Sequence, residues 1–139
     1  MFISNCLRVG SDIDALVVAP KHVTMPDFFE HFPPTFHEMT EASEVDEFNP
    51  VADAFVPIIT IKFRDVDIDL LFASLPTLSQ IPKDIELSDK GYLRGLDDQG
   101  MRSINGARTV RELLDCVPQH KPFRLALRAI KSWSKGEGF

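Results

Sequence analysis

The chain has 139 residues, 44% of them hydrophobic and 26% charged, which is enough for one modest domain with its own core. No apolar run approaches the length of a membrane span, and the start lacks the charged-then-apolar layout of a secretory signal. The net charge of -6 is uneven: residues 1–101 hold 7 of the 15 Lys+Arg and 18 of the 21 Asp+Glu. An acidic front suits cations and a basic tail suits anions such as phosphate, while the overall acidity argues against a complete nucleic-acid-binding unit.

In chain order, "GSDIDALVVAP" predicts a strand over Ile13–Ala19 ended by Pro20. Its apolar residues do not alternate, so it reads as buried on both faces. "TMPDFFEHF" reads as a helix start with Thr24 as N-cap and Asp27 three residues on, and Pro33 and Pro34 are expected to stop or kink that helix. "TEASEVDEFNPVADAF" is acidic and ambiguous, with Asn49-Pro50 marking a break. "FVPIITIKF" (55–63) and "VDIDLLFASL" (66–75) predict a hairpin joined by Arg64 and Asp65, a turn without the usual Gly or Asn.

Residues 76–100 have the proline, glycine and charge of a connection between domains. The pattern then turns helical. "TVRELLDCV" opens with a Thr109–Glu112 capping box. In "FRLALRAIKSWSK", Phe123, Ala126, Leu127 and Ile130 make an apolar stripe, with Arg124, Arg128, Lys131 and Lys135 along another face.

The chemistry-bearing pattern is a repeated one. Asp12 and Asp14 share a face at the mouth of the first strand, and Asp65, Asp67 and Asp69 alternate with Val66 and Ile68 before "LLFA". If the two strands are neighbours, Asp12, Asp14 and one of Asp67 or Asp69 converge. Clustered carboxylates repel one another unless a cation offsets them, and hard oxygen ligands suit Mg²⁺ and two-metal phosphoryl or nucleotidyl transfer. The alternative is that these acids line the solvent side of half-buried strands. Cys6 and Cys116 lack Cys-x-x-Cys spacing and suit a reducing compartment. With His22, His31, His37 and His120 they make no zinc-ligand spacing, so no structural zinc is expected.

"GSDIDALVVAPKHV", "AFVPIITIKF", "DIDLLFASL", "RSINGARTVRELL" and "FRLALRAIKSWSK" occur in an order and spacing that closely resemble eukaryotic nuclear poly(A) polymerases. Those enzymes belong to the DNA polymerase β-like nucleotidyltransferase superfamily. The resemblance runs from about Leu7 to about Lys135. It implies an α+β fold: a nucleotidyltransferase palm with a small mixed or antiparallel sheet flanked by helices, over residues 1–78. It further implies the beginning of an all-helical central domain over 79–139.

The same resemblance implies that Asp12, Asp14 and Asp69 are catalytic and hold Mg²⁺ or Mn²⁺, with Asp67 supporting. It places Asn105 near the nucleotide, against a plain turn residue before Gly106, and Lys131 on the ATP phosphates, against a solvated helix lysine. The implied activity is transfer of AMP from ATP to RNA 3′ ends in the nucleus, with mRNA 3′-end processing factors as partners. No membrane is implied, and no Lys/Arg-rich cluster marks a nuclear address.

The family's upstream Gly-Ser turn has no counterpart, since Gly10-Ser11 abuts Asp12. Its later tyrosine, glycine-rich turn and RNA-binding domain also have no counterpart, so the chain is expected to be incomplete at both ends and poorly stable by itself. A catalytically silent fragment with weak metal or nucleotide binding is the competing reading, and a relative adding U or CCA is a third.

Overall fold

The computed structural model describes residues 2, 3, 12–134 and 136. Cys6, Gly10, Ser11 and Lys135 lie outside the described residues. In chain order the elements are β1 (Phe2–Ile3), β2 (Ile13–Pro20), α1 (Met25–Met39), β3 (Val45–Val51), β4 (Ile58–Phe63), β5 (Val66–Leu75), α2 (Asp98–Asp115) and α3 (His120–Ser134). The strands form one five-stranded mixed sheet in the order β1-β2-β5-β4-β3, with β2 and β5 parallel and the other pairs antiparallel. This is the expected α+β class, with a mixed rather than purely antiparallel sheet.

Side chains alternate across a strand, and β2 and β5 use both faces. Ala15, Ala19, Leu70 and Phe72 join Ile59 and Ile61 of β4 beneath α1. Phe28, Phe32 and Phe36, one helical turn apart, lay α1 on that face; Phe28 stacks on Phe72 with ring centroids 4.7 Å apart. On the other face Leu16, Ala73 and Leu75 pack with Ile104 of α2 and with Ile85, Leu87 and Leu93. The unbroken apolar run of β2 is thus explained by cover on both sides. Within residues 76–97, Ile85, Leu87 and Leu93 are buried against the sheet, so this polar-looking stretch carries its own anchors.

The α1 start matches the capping-box reading: the Thr24 amide donates to Asp27 Oδ2 at 2.8 Å and the Asp27 amide to Thr24 Oγ1 at 3.3 Å. Three other expectations need correction. Pro33 and Pro34 do not stop α1, which runs to Met39. The phenylalanine row holds the helix on the sheet past the two missing amides, and the Thr35 hydroxyl donates to the His31 carbonyl at 2.8 Å.

Asn49-Pro50 is not a break but part of β3, an edge strand, where a proline's missing N–H is tolerated. The last correction concerns α2, which starts eleven residues before Thr109. Its N-cap is Asp97, whose Oδ1 accepts from the Gly100 amide at 2.7 Å, and Thr109 and Glu112 lie inside the helix.

Candidate active site

β2 and β5 each begin with acids and continue as buried apolar strand, so the carboxylates stand at the same end of two adjacent strands. The parallel register pairs Ile13 with Ile68 and Asp14 with Asp69, which sets the last two side by side at the strand spacing of about 4.8 Å. By the period of two, Asp14 and Asp69 share the sheet face that carries α2, in phase with Leu16, Leu71 and Ala73. Asp12, Asp14 and Asp67 are exposed and Asp69 is half-buried.

The electrostatics follow from this crowding. Burial raises the Asp69 carboxyl above its ordinary value, and the charges of Asp14, Asp12 and Asp67 push it the same way. Among the described residues, no ion pair involves any of these four acids. No three of the described His, Cys, Asp or Glu side chains close around one point as a ready-made ion cage. The donor set, all carboxylate oxygen, nonetheless has the chemistry of a Mg²⁺ or Mn²⁺ site rather than a zinc site.

Two hollows flank Asp14 and Asp69. One, of about 300 Å³, is lined by Asp12, Asp67 and Asp69 together with Glu47, Thr60 and Lys62. The other, of about 450 Å³, has Asp14 at its edge and runs between the sheet and α2. Its walls are apolar, from Leu16, Val56, Leu71, Val110 and Leu114, with Arg102 and Arg111 as cations. Arg102 secures the loop before β4: its Nη1 donates to the Phe55 carbonyl at 3.2 Å, and its guanidinium carbon lies 3.8 Å from the centroid of the exposed Phe55 ring. Gly106 lines the same groove, and nothing beyond its own stretch of helix lies within 4 Å of where a Cβ would stand, so the helix leaves that wall open.

The remaining expected residues sit apart from this cluster. Asn105 is exposed on α2 and lines neither hollow, although its neighbour Gly106 does. Lys131 is exposed in the last turn of α3 and also lines neither. Sequence reasoning missed Lys62 and Arg102. Lys62 had a readable signal, since alternation along "IITIKF" puts it in phase with Thr60, and hairpin register then sets it against Asp67. Arg102 had none, because its partner is 47 residues away.

The family model of the poly(A) polymerase nucleotidyltransferase domain matches residues 2–117. The chain belongs to this family. Poly(A) polymerase PAPa of Candida albicans is 47% identical over 127 residues, which is 91% of this chain and 22% of that protein. Poly(A) polymerase pla1 of Schizosaccharomyces pombe is 44% identical over 126 residues, again 91% of this chain and 22% of that protein. The chain therefore spans about a fifth of the length of the curated relatives it matches. The span matched by the poly(A) polymerase family holds the whole sheet, α1 and α2, and with them Asp12, Asp14, Asp69 and Asn105; Lys131 lies beyond it.

Proposed function

We infer that this chain is the catalytic part of a polynucleotide adenylyltransferase, moving AMP from ATP to an RNA 3′ hydroxyl without a template. The observation that carries this reading is the pairing of Asp14 with Asp69 on parallel strands, without a cationic partner among the described residues, at the rim of a groove with apolar walls and two arginines. Membership of the nucleotidyltransferase family supports it.

In this reading Asp12, Asp14 and Asp69 hold Mg²⁺ or Mn²⁺. Bound there, the ion supplies Lewis-acid stabilisation for in-line displacement at a phosphorus centre. Asp12 and Asp14 serve the nucleotide side and Asp69 the side of the attacking hydroxyl, with Asp67 supporting. The apolar walls of the 450 Å³ groove suit a nucleoside, while Arg102 and Arg111 balance phosphate charge. Asn105 contributes to the nucleotide and Lys131 to its phosphates. Residues 1–78 form the palm and residues 79–139 the start of the helical domain, seated on the palm through Ile85, Leu87, Leu93 and Ile104. The setting is nuclear mRNA 3′-end processing, with its factors as partners.

The test is calorimetric titration of the chain with Mg²⁺ and ATP, alongside Asp12→Ala and Asp69→Ala. Metal-dependent ATP binding lost in both variants supports the reading. Binding that both variants retain overturns the carboxylate assignment, and no binding by any of the three moves the chain to the silent-fragment reading.

A further inference from the structure

Among the described residues, Lys62 is the one cation lining the hollow of about 300 Å³, beside Asp12, Glu47, Asp67 and Asp69. Strand register fixes its neighbours. Asn49, Thr60, Asp69 and Asp14 stand in one row across β3, β4, β5 and β2. Glu47, Lys62 and Asp67 form the adjacent row on β3, β4 and β5. Residues two apart on a strand share a face, so both rows lie on the side that carries α2.

Lys62 therefore has an acid directly opposite it on each neighbouring strand, at the strand spacing of about 4.8 Å. Asp69 is its diagonal neighbour on β5, a separation of about 7–8 Å that a long side chain spans. Lys62 is half-buried, yet within the described residues it makes no hydrogen bond or ion pair. Its ammonium is thus committed to neither Asp67 nor Glu47. A lysine head is a compact charge on a flexible stem, so it acts on the whole cluster through its field and yields to an entering cation. Four carboxylates around one ammonium argue against an anionic guest in this hollow. The charge balance leaves Lys62 a role toward the acids themselves.

We propose that Lys62 is the resident counter-charge of the acid cluster, offsetting Asp12, Asp67 and Asp69 when no metal is bound and opposing the divalent ion that binds there. It touches no reacting group and acts through the carboxylates. The ion's place on Asp12, Asp14 and Asp69 rests on the function inferred above; the offsetting of the acids does not.

The two halves of this role have opposite signs. Without the ammonium, the metal-free fold bears more repulsion, while a dication binds more tightly. Replacing a lysine that only packs would weaken both.

The test compares the wild-type chain with Lys62→Met, which keeps the stem, and Lys62→Arg, which keeps the charge. Mn²⁺ affinity is read from the electron paramagnetic resonance signal of the free ion, and melting temperature is read in a chelator. At low salt Lys62→Met should bind Mn²⁺ about three- to tenfold more tightly, as expected for one charge roughly 8 Å from a dication. The metal-free variant should melt roughly 1–4 °C lower than wild type. Both differences should shrink near 1 M salt, where the screening length is about 3 Å, and Lys62→Arg should show neither.

Unchanged or weaker Mn²⁺ binding by Lys62→Met overturns the proposal, and so does a Lys62→Arg that behaves like Lys62→Met. The two readings fail separately. Mn²⁺ binding that is lost in Asp69→Ala but indifferent to Lys62→Met sinks the counter-charge and keeps the function. Tighter binding by Lys62→Met that persists when Asp69→Ala is added does the reverse.

Discussion

Asp14 and Asp69 are register partners across the parallel junction of β2 and β5, and no described cation pairs with either. The fold holds these like charges together against their repulsion, and Asp69 bears the consequence as a raised pKa. A carboxyl whose folded pKa lies above its unfolded value costs stability when it ionises. Below the ordinary value of 3.8 both states are protonated and the cost is absent; it grows as pH rises through the folded pKa and is complete above it. Asp69→Asn should therefore raise the melting temperature at pH 7, and the gain should vanish below about pH 3.8. Because the group is only half-buried and solvent screens it, the gain is held to less than about 1 kcal/mol, or roughly 1–4 °C. Thermal melts of both chains at pH 3 and pH 7 check this, and a variant less stable at pH 7 than at pH 3 relative to wild type contradicts it.

How much of this could be read beforehand divides along local and non-local lines. The two acid-then-apolar strands, the Thr24–Asp27 cap and the two-residue connection at Arg64 and Asp65 depend on neighbours in sequence, and each was legible. The pairing of Asp14 with Asp69 depends on a register between positions 55 apart in the chain, for which the sequence supplied only the condition that the strands be adjacent. β3 was missed because its acids, Asn49 and Pro50 suit an edge strand and a loop equally. The start of α2 was missed because Thr109 and Glu112 imitate a cap inside the helix, while Asp97, the real cap, sits among loop-like residues. The groove beside Asp14 needed both α2 and the loop at Phe55 in place, and neither position is encoded locally.

Phe72 lies on the face of β5 opposite Asp69, and its loss should be felt in the stability of the whole fold. It lies three residues beyond Asp69, is 2% exposed, and stacks on Phe28 of α1. Phe72→Ala should cost about 3–5 kcal/mol, a large part of the stability of a domain this size. Phe72→Leu, which keeps most of the volume, should cost under about 1.5 kcal/mol. Urea denaturation followed by circular dichroism separates them, and equal midpoints for the two variants would show that the α1 face is not the main core.

Arg102 ties α2 to the loop that walls the groove, through one hydrogen bond to the Phe55 carbonyl and contact with its ring. Arg102→Ala should destabilise the chain by about 1–2 kcal/mol, the sum of an exposed cation–π contact and a charged hydrogen bond. Backbone amides near Val56 should exchange roughly tenfold faster. Phe55→Ala should account for part of the same loss, so the double variant should fall short of additivity. Hydrogen exchange on the single and double variants checks this, and fully additive effects would mean that the two side chains act independently.

The hairpin between β4 and β5 carries strain that substitution can release. Arg64 and Asp65 have φ of 48° and 63°, two consecutive left-handed residues as in a type I′ turn, which glycine adopts far more readily. Arg64 also pairs with Glu44, and the Arg64 amide donates to the Glu44 carbonyl at 2.9 Å, so its side chain offsets part of its own strain. No described hydrogen bond or ion pair uses the Asp65 side chain. Asp65→Gly should therefore stabilise the chain by about 0.5–1 kcal/mol. Arg64→Gly should gain less, or lose, because it also removes the Glu44 contact. Melting temperatures of the two variants decide the matter: a larger gain from Arg64→Gly than from Asp65→Gly would mean the Glu44 pair contributes nothing to the turn.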